Sequence, residues 1–271
     1  MTKDVADYYN LIADAEHNRL DLPLCRIEFE STVRLIEKYF PLSGSVCDIG
    51  GGTGRYTAEL LGRGYTCRLV DLSEREIEIA KTHFRNEVSS KVRAEIGDAT
   101  DLFNLGTNEF DAGLLMGPMY HITQTDLRKR ALQEFHRILK PNAIGIIAFI
   151  NSWGLLKSGI NDFPSWFHRE GFADSLLGTR SFTQAELTGF TECYWTTPME
   201  AQKELEREGF EILSYAGAES FASGMANELS EIQKKESQLY RRIVKEAAKM
   251  AELKQFRDST DHIHFVVRKM T

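Results

Sequence analysis

The chain has 271 residues, 42% apolar and 27% charged, a globular composition that excludes disordered, collagen-like and fibrous classes. Lys and Arg total 33 and Asp and Glu 40, a formal net charge of -7, which disfavours a broad phosphate-gripping face and so a nucleic-acid partner. The longest apolar stretch, Ala143 to Ile150, is far shorter than the roughly 20 residues of a membrane helix, and Met1-Thr2-Lys3-Asp4 opens no signal sequence. A cytoplasmic protein with no membrane partner is expected. Cys25, Cys47, Cys67 and Cys193 show no CxxC pair and no Cys/His metal spacing, so reduced structural thiols and no metal site are expected.

The region up to Phe40 reads as largely helical. Ser45 to Ile49 is a strand running into glycines, and Tyr56 to Gly62 a short helix. Tyr65 to Val70 is a second strand. Ser73 with Glu76 then forms a capping box, opening a helix with Ile77, Ile79, Ala80 and Phe84 on its apolar side. Val92 to Ile96 is a third strand and Phe110 to Met116 a fourth, apolar enough to be covered on both faces. A helix from Asp126 to Leu139 buries Leu127, Ala131, Leu132, Phe135, Ile138 and Leu139, and Pro141 stops it. Ala143 to Ile150 is the fifth strand. Asn151 to Thr196 is rich in Gly, Trp and Phe. Thr197-Pro198-Met199-Glu200 is a helix start with cap, proline and acid in their preferred places. Phe210 to Ser214 is a strand, and Met225 to Phe256 carries Met225, Leu229, Ile232, Leu239, Ile243, Ala247 and Met250 at helical spacing. His262 to Arg268 is the last strand. The alternation predicts an α/β fold, a parallel sheet with helices on both faces and right-handed crossovers. No repeat or linker divides the chain. One domain over 1–271 is expected, with an N-terminal helical cap (1–40), a core (41–150), a lid insertion (151–196), and two final strands (197–271) carrying a helical insertion (225–256).

The chemistry concentrates in Asp48-Ile49-Gly50-Gly51-Gly52-Thr53-Gly54. A strand delivers an acid, and glycines turn the chain closely enough for backbone to approach a ligand. The spacing is D-x-G-x-G-x-G. It is not the dinucleotide G-x-G-x-x-G, because Arg55 stands three residues after Gly52. Asp48 would repel a pyrophosphate and suits a cationic ligand. Asp71, ending the second strand, can accept ribose hydroxyls. Asp98, ending the third, can meet an adenine amino group. Acids at the carboxyl ends of successive parallel strands converge on one crevice.

In these features the sequence resembles the class I S-adenosylmethionine (SAM)-dependent methyltransferases. The glycine turn, Asp71, Asp98, the segment Phe110-Asp111-Ala112-Gly113-Leu114-Leu115 and Leu139-Lys140-Pro141-Asn142 occur in the family's order, the last departing from its usual Lys-Pro-Gly-Gly. The resemblance implies a Rossmann-like seven-stranded sheet in the order 3-2-1-4-5-7-6, strand 7 antiparallel, with Phe210 to Ser214 and His262 to Arg268 as strands 6 and 7. It implies SAM as cofactor, with Gly50 and Gly52 beneath its methionyl and ribose parts. Asp48 would face its ammonium, Asp71 its ribose, Leu72 its adenine, and Asp98 and Ala99 the adenine edge. Met116, at the end of the fourth strand, would face the sulfonium.

Topology sends Asn151 to Thr196 and Met225 to Phe256 to the ligand end, where they would form a lid with the N-terminal helices. A homodimer face is the other use for the second of these. His121 is the candidate general base and Tyr120 the residue that orients the acceptor. Tyr9, Trp153 and Trp195 are the candidate substrate contacts. Trp153, Phe163, Trp166, Phe167, Phe172, Phe182, Phe190, Tyr194 and Trp195 form an aromatic concentration suited to an apolar or planar acceptor, or to the lid's own core. His262 and His264 share a strand face and are too few for a metal. The expected activity is methyl transfer to a small-molecule acceptor by in-line displacement. The alternatives are a SAM-binding module without turnover and an NAD(P)-dependent oxidoreductase.

Overall fold

The apolar runs form the strands of one sheet, and the amphipathic runs form helices that cover it. The structure, a computed structural model, describes residues 3–85, 91–182 and 191–271. The chain runs α1 (Lys3–Arg19), α2 (Pro23–Tyr39), β1 (Ser45–Ile49), α3 (Arg55–Gly62), β2 (Thr66–Asp71), α4 (Glu74–His83), β3 (Val92–Ile96), β4 (Phe110–Leu115), α5 (Pro118–His121), α6 (Thr125–Ile138) and β5 (Leu139–Asn151). It continues through α7 (Ser152–Asp162), a 3-10 turn (Pro164–His168), α8 (Phe172–Ser175), β6 (Arg180–Phe182), β7 (Cys193–Thr196), α9 (Pro198–Arg207) and β8 (Phe210–Gly217). A second 3-10 turn (Ser220–Ala222), α10 (Ala226–Lys235), α11 (Ser237–Met250), α12 (Lys254–Arg257) and β9 (His262–Lys269) complete it.

Strands β3, β2, β1, β4 and β5 are parallel neighbours in that order. β9 then pairs antiparallel with β5, and β8 antiparallel with β9. This is the expected 3-2-1-4-5-7-6 order, with β9 as strand 7 and β8 as strand 6. One face is covered by α6 and α9, where Phe135 and Leu205 meet Phe149 and Phe265. The other lies under α2 and α3, where Leu35 and Leu60 meet Val46, Leu114 and Ile146. Burying each such side chain stabilises the fold by roughly 1.5–3 kcal/mol. Gly113 pairs with Gly145 across β4 and β5. A Cβ at either would sit 2.8 Å from the Phe135 ring, so the two glycines make the space that ring fills.

Three local features differ from the expectation. α6 ends at Ile138, before Pro141, and Leu139 already belongs to β5. The register then jumps from Phe110↔Leu139 to Ala112↔Ile144, so Lys140 to Ala143 bulge out, with Asn142 at φ 64. Asn tolerates that left-handed conformation, which is how the turn forms without glycine. The segment 225–256 is three helices, broken at Glu236, whose φ of -142° and ψ of 73° are not helical.

The third difference lies at the carboxyl end of the sheet. β4 stops at Leu115, opposite Ile147, and the chain leaves through Gly117 at φ 125. β5 runs on to Asn151, and β7 takes the edge that β4 vacates, pairing Ile150 with Trp195 and Asn151 with Thr196. β6 adds antiparallel to β7, giving nine strands among the described residues. The 151–196 segment is thus joined to the sheet by backbone hydrogen bonds. The four cysteines are free. Burial pushes the Cys67 and Cys193 thiols up to about 12, so neither is a nucleophile at neutral pH.

Candidate functional site

The glycine turn leaves β1 with Gly50, Gly52 and Gly54 at φ 75, 55 and 88. These are left-handed values that other residues adopt at a cost. Gly50 also passes so close to α5 that a Cβ there would lie 2.4 Å from Pro118 Cδ. Asp48 sits behind the turn. Thr57 Oγ1 donates to its Oδ2 at 2.7 Å, while Oδ1 is buried without a partner among the described residues. Burial raises its carboxyl to about 6, against the pull of the Thr57 bond. Asp48 is absent from the cavity lining, so it supports the turn from below.

Asp71 ends β2 with both oxygens engaged. Gly52 N–H donates to Oδ2 at 2.8 Å and Ser73 N–H to Oδ1 at 2.9 Å. The second bond changes the fate of Glu76. In a full capping box the Glu76 carboxylate would take the Ser73 N–H. Only the other half forms here, with Glu76 N–H donating to Ser73 Oγ at 3.1 Å. The Glu76 carboxylate is left facing the cavity, 4% exposed. Burial, then Asp71 and Glu16, push it up to about 9. Sequence reading saw only a cap at this position.

A stability prediction follows from this acid. Its folded pKa lies above the ordinary 4.5, so the stability it confers is complete below that pH and is lost as pH rises through about 9. Glu76→Gln should therefore gain stability relative to the parent between pH 5 and pH 9, by more than about 1.4 kcal/mol, the equivalent of one pKa unit. Urea titrations at the two pH values measure it. Parallel pH dependence in parent and variant would contradict the assignment.

The turn, the ends of β1, β2 and β4, and α1 enclose a cavity with about 1130 Å³ of empty space, its open mouth included. Gly50, Gly52, Asp71, Leu72, Ala99, Met116, Tyr120, His121 and Tyr9 line it, as do Glu16, Arg19, Glu28, Glu76 and His262, which the sequence did not single out as site residues. Asp98 does not line it. Its Oδ1 accepts from Thr100 N and Thr100 Oγ1, each at 2.8 Å, and the neighbouring Gly97 and Ala99 face the cavity. α1 is tied down by Asn10, whose Oδ1 accepts from Ser73 Oγ at 2.8 Å and from Arg75 N–H at 3.1 Å.

His121 has both ring nitrogens occupied. Nδ1 lies 3.2 Å from the Glu192 carbonyl, which only an N–H can satisfy, so Nε2 accepts from Tyr9 O–H at 2.8 Å. Burial lowers the ring to about 4, leaving it neutral at neutral pH. In this structure His121 therefore latches α1 to α5. The expected general-base role would require the latch to open. Burial likewise raises the Tyr120 hydroxyl.

A second cavity, about 1340 Å³ by the same measure, adjoins the first and shares Arg19, Cys25, Glu28 and His262 with it. Its wall is a cluster of rings. The Phe163 and Trp166 centroids are 4.8 Å apart, and Trp195 stacks 6.1 Å from Phe163 and 6.2 Å from Trp166. Trp195 is thus at the site, whereas Trp153 is not: it lines neither cavity, and its Nε1–H donates to the Leu177 carbonyl at 3.4 Å. Phe172 packs behind Trp166, Phe167 packs on Phe172, and Tyr194 lies under the Arg128 guanidinium at 3.5 Å. Phe190 and the ring of Phe182 fall outside the described residues.

The expectation that 225–256 stands over the crevice is corrected. No residue of that segment lines either cavity. Leu229, Tyr240, Val244 and Ala247 pack against Ile27 of α2, so α10 and α11 buttress the helix that carries Glu28. Burial alone would raise the Glu28 carboxyl, but His262, His264 and Arg19 hold it at about 2. Burial alone would lower His262, but Glu28 and Glu219 raise it to about 9.

The profile of a family described as "Methyltransferase domain" matches residues 46–142, which span the glycine turn, Asp71, Asp98 and the β4 end. Residues 46–142 are thus similar to that methyltransferase domain, and the fold is the class I methyltransferase fold. A Thermotoga maritima SAM-dependent methyltransferase, described as a possible histamine N-methyltransferase, is 17% identical, with a TM-score of 0.62 over 98% of this chain and 99% of that one. The Burkholderia thailandensis 1,6-didemethyltoxoflavin-N1-methyltransferase, with its substrate and S-adenosylhomocysteine bound, is 16% identical, with a TM-score of 0.61 over 98% of this chain and 86% of that one. A [4+2]-cyclase, SpnF, is 18% identical at a TM-score of 0.55, covering 89% of this chain and 81% of its own. At such identities the likeness establishes the fold alone. No curated protein matches the sequence closely. Among the described residues, no helix is long and apolar enough to cross a membrane.

Proposed function

We propose that this methyltransferase moves the SAM methyl group to a small-molecule acceptor held in the aromatic cavity. The observation that carries this reading is the wall shared by the two cavities, at Arg19, Cys25, Glu28 and His262. A cofactor on the glycine turn and an acceptor against Trp195 would meet there. Bound SAM supplies an electrophilic sulfonium methyl. The chain contributes the rest. Asp71 and Glu76 would receive the ribose hydroxyls, Leu72 and Ala99 would flank the adenine, and Arg19 would hold the methionyl carboxylate. The acids Glu16, Glu28 and Asp71 line the cavity and favour a cationic ligand. α1 closes over it through the Tyr9–His121 latch and excludes water from the transfer. Alignment of acceptor and methyl is then the main catalytic resource, supplying about 7–11 kcal/mol in the most favourable cases.

Two of the similar structures are described as N-methyltransferases of small molecules, which supports a small acceptor here. Incubation with methyl-labelled SAM and a panel of small amines, phenols, thiols and carboxylates tests the reading. Label should appear in at least one acceptor, with stoichiometric S-adenosylhomocysteine. Tight binding of S-adenosylhomocysteine with no labelled product would favour the non-catalytic module. Binding of NADH in its place would overturn the reading.

A further inference from the structure

One imidazole at the junction of the two cavities keeps a ring nitrogen open. His262 begins β9 opposite Ile150, near the carboxyl end of β5, and lines both cavities. Glu219, in the turn after β8 and 2% exposed, holds it twice. The His262 backbone N–H donates to Glu219 Oε2 at 3.1 Å, and the ring Nδ1 lies 2.7 Å from Oε1. A carboxylate oxygen only accepts, so Nδ1 carries a proton and the neutral ring has its lone pair on Nε2. Nε2 makes no hydrogen bond among the described residues.

The pair is fixed from both sides. The His262 carbonyl accepts from Ala218 N–H at 2.9 Å and from Thr260 Oγ1 at 2.8 Å. Ser220, the residue after Glu219, stands at φ 53, a left-handed conformation that a non-glycine residue keeps only when its surroundings hold it. His121, the other imidazole lining these cavities among the described residues, has Nε2 on Tyr9 and Nδ1 on the Glu192 carbonyl. The charged and titratable groups around the His262 ring are Glu28 and Cys25 of α2, Glu219, the preceding Asp261, Arg19 of α1 and Tyr120 of α5. Arg19 is committed to Glu16 by two bonds of 2.6 Å. The carboxylates therefore dominate: burial would lower the ring, but Glu28, Glu219 and Asp261 raise it to about 9.

We propose that His262 is the general base of the transfer, taking a proton at Nε2 from the hydroxyl or ammonium group of the acceptor, and that Glu219 is its positioning residue. The proposal rests on the methyl-transfer reading above. The proton passes from the acceptor to Nε2 and leaves a lone pair on the acceptor's oxygen or nitrogen. That pair forms the bond to the methyl carbon, and the carbon–sulfur pair departs with the sulfur of S-adenosylhomocysteine. Glu219 and Glu28 stabilise the imidazolium that results. The acceptor class is thus a molecule whose nucleophilic atom arrives protonated, a phenol or an amine, placed against the Trp195 wall. Phenols and alkylammonium groups release their proton at about pH 10, within roughly one unit of this ring, which is the matching that efficient proton transfer requires.

The test uses the full-length protein, methyl-labelled SAM and the panel of phenols, amines, thiols and carboxylates, from neutral pH upwards. With a phenol or amine, kcat/KM should rise with pH and level off near 9, because only the neutral ring accepts a proton. His262→Gln should lower kcat by roughly 100- to 10,000-fold and abolish the rise. Glu219→Gln removes one carboxylate that raises the ring, so on the same acceptor its profile should level off at lower pH. The acceptor's own ionisation is common to both enzymes and cannot produce that difference. Nuclear magnetic resonance of the imidazoles, which needs no acceptor, should show one ring titrating near pH 9, lost in His262→Gln and moved down in Glu219→Gln. Circular dichroism reports folding of each variant. If Glu219→Gln does not fold, Glu28→Gln decides, since it should move the profile and the titration in the same direction. A His262→Gln enzyme as fast as the parent overturns the proposal, as do superimposable parent and Glu219→Gln profiles, or label confined to carboxylates, which arrive without a proton. No label in any acceptor overturns the methyl-transfer reading and this proposal together, whereas label that does not depend on His262 overturns this proposal alone.

Discussion

Asp71→Ala should weaken S-adenosylhomocysteine binding by roughly 100-fold in calorimetric titration. A hydrogen bond to a charged partner is worth about 1.5–3 kcal/mol. Asp71 would lose such bonds to the ribose and, in addition, the two backbone bonds that shape the site. Its Oδ2 holds Gly52 N–H at 2.8 Å and its Oδ1 holds Ser73 N–H at 2.9 Å. The glycine turn and the start of α4 would therefore loosen together. Asp71→Asn keeps one oxygen as acceptor and should fall between parent and alanine variant. An alanine variant that binds within about threefold of the parent would contradict the assignment of the ribose to Asp71.

Gly154→Ala should be the most destabilising glycine-to-alanine substitution among the described residues of the 151–196 segment. A Cβ at Gly154 would lie 1.8 Å from the Thr260 carbonyl oxygen and 2.1 Å from its carbon, both backbone atoms that cannot rotate aside. The start of α7 is held there by Asn151, whose N–H donates to Asp261 O at 2.8 Å and whose Nδ2 donates to Asp258 O and Thr260 O at 3.0 and 2.9 Å. Overpacking costs typically 1–3 kcal/mol and more against fixed backbone. For a chain of this size that lowers the melting temperature by roughly 2–12 °C. Gly178→Ala, with nothing within 4 Å, is the control and should melt with the parent. Because this contact leads directly into His262, the variant should also lose acceptor turnover more than S-adenosylhomocysteine affinity. Equal melting temperatures for the two variants would sink the anchoring argument.

The parts that sequence made legible are those governed by local periodicity. Strands β1 to β5 and the turn at Gly50 to Gly54 were readable because apolar runs and glycines carry their own signal. β7 was not, because Cys193 to Thr196 becomes a strand only when β4 stops at Leu115 and leaves an edge to pair. Glu76 was read as a cap because the competing claim of Asp71 on Ser73 N–H depends on where β2 ends. Glu28 reads as an ordinary acid on an amphipathic helix. Its place between the cavities follows from α2 packing on β9, which no local pattern encodes. The same limit applies to Trp153 and Trp195, alike in the sequence: Trp195 lines the second cavity from β7, whereas Trp153, on α7, donates to the Leu177 carbonyl.

A crystal structure with S-adenosylhomocysteine bound tests the central claim most directly. The account predicts the ribose at Asp71 and Glu76 and the sulfur between Met116 and Tyr120, facing Trp195 across the Glu28–His262 wall. A ligand whose sulfur points away from that wall, or one bound outside the glycine-turn cavity, would contradict it.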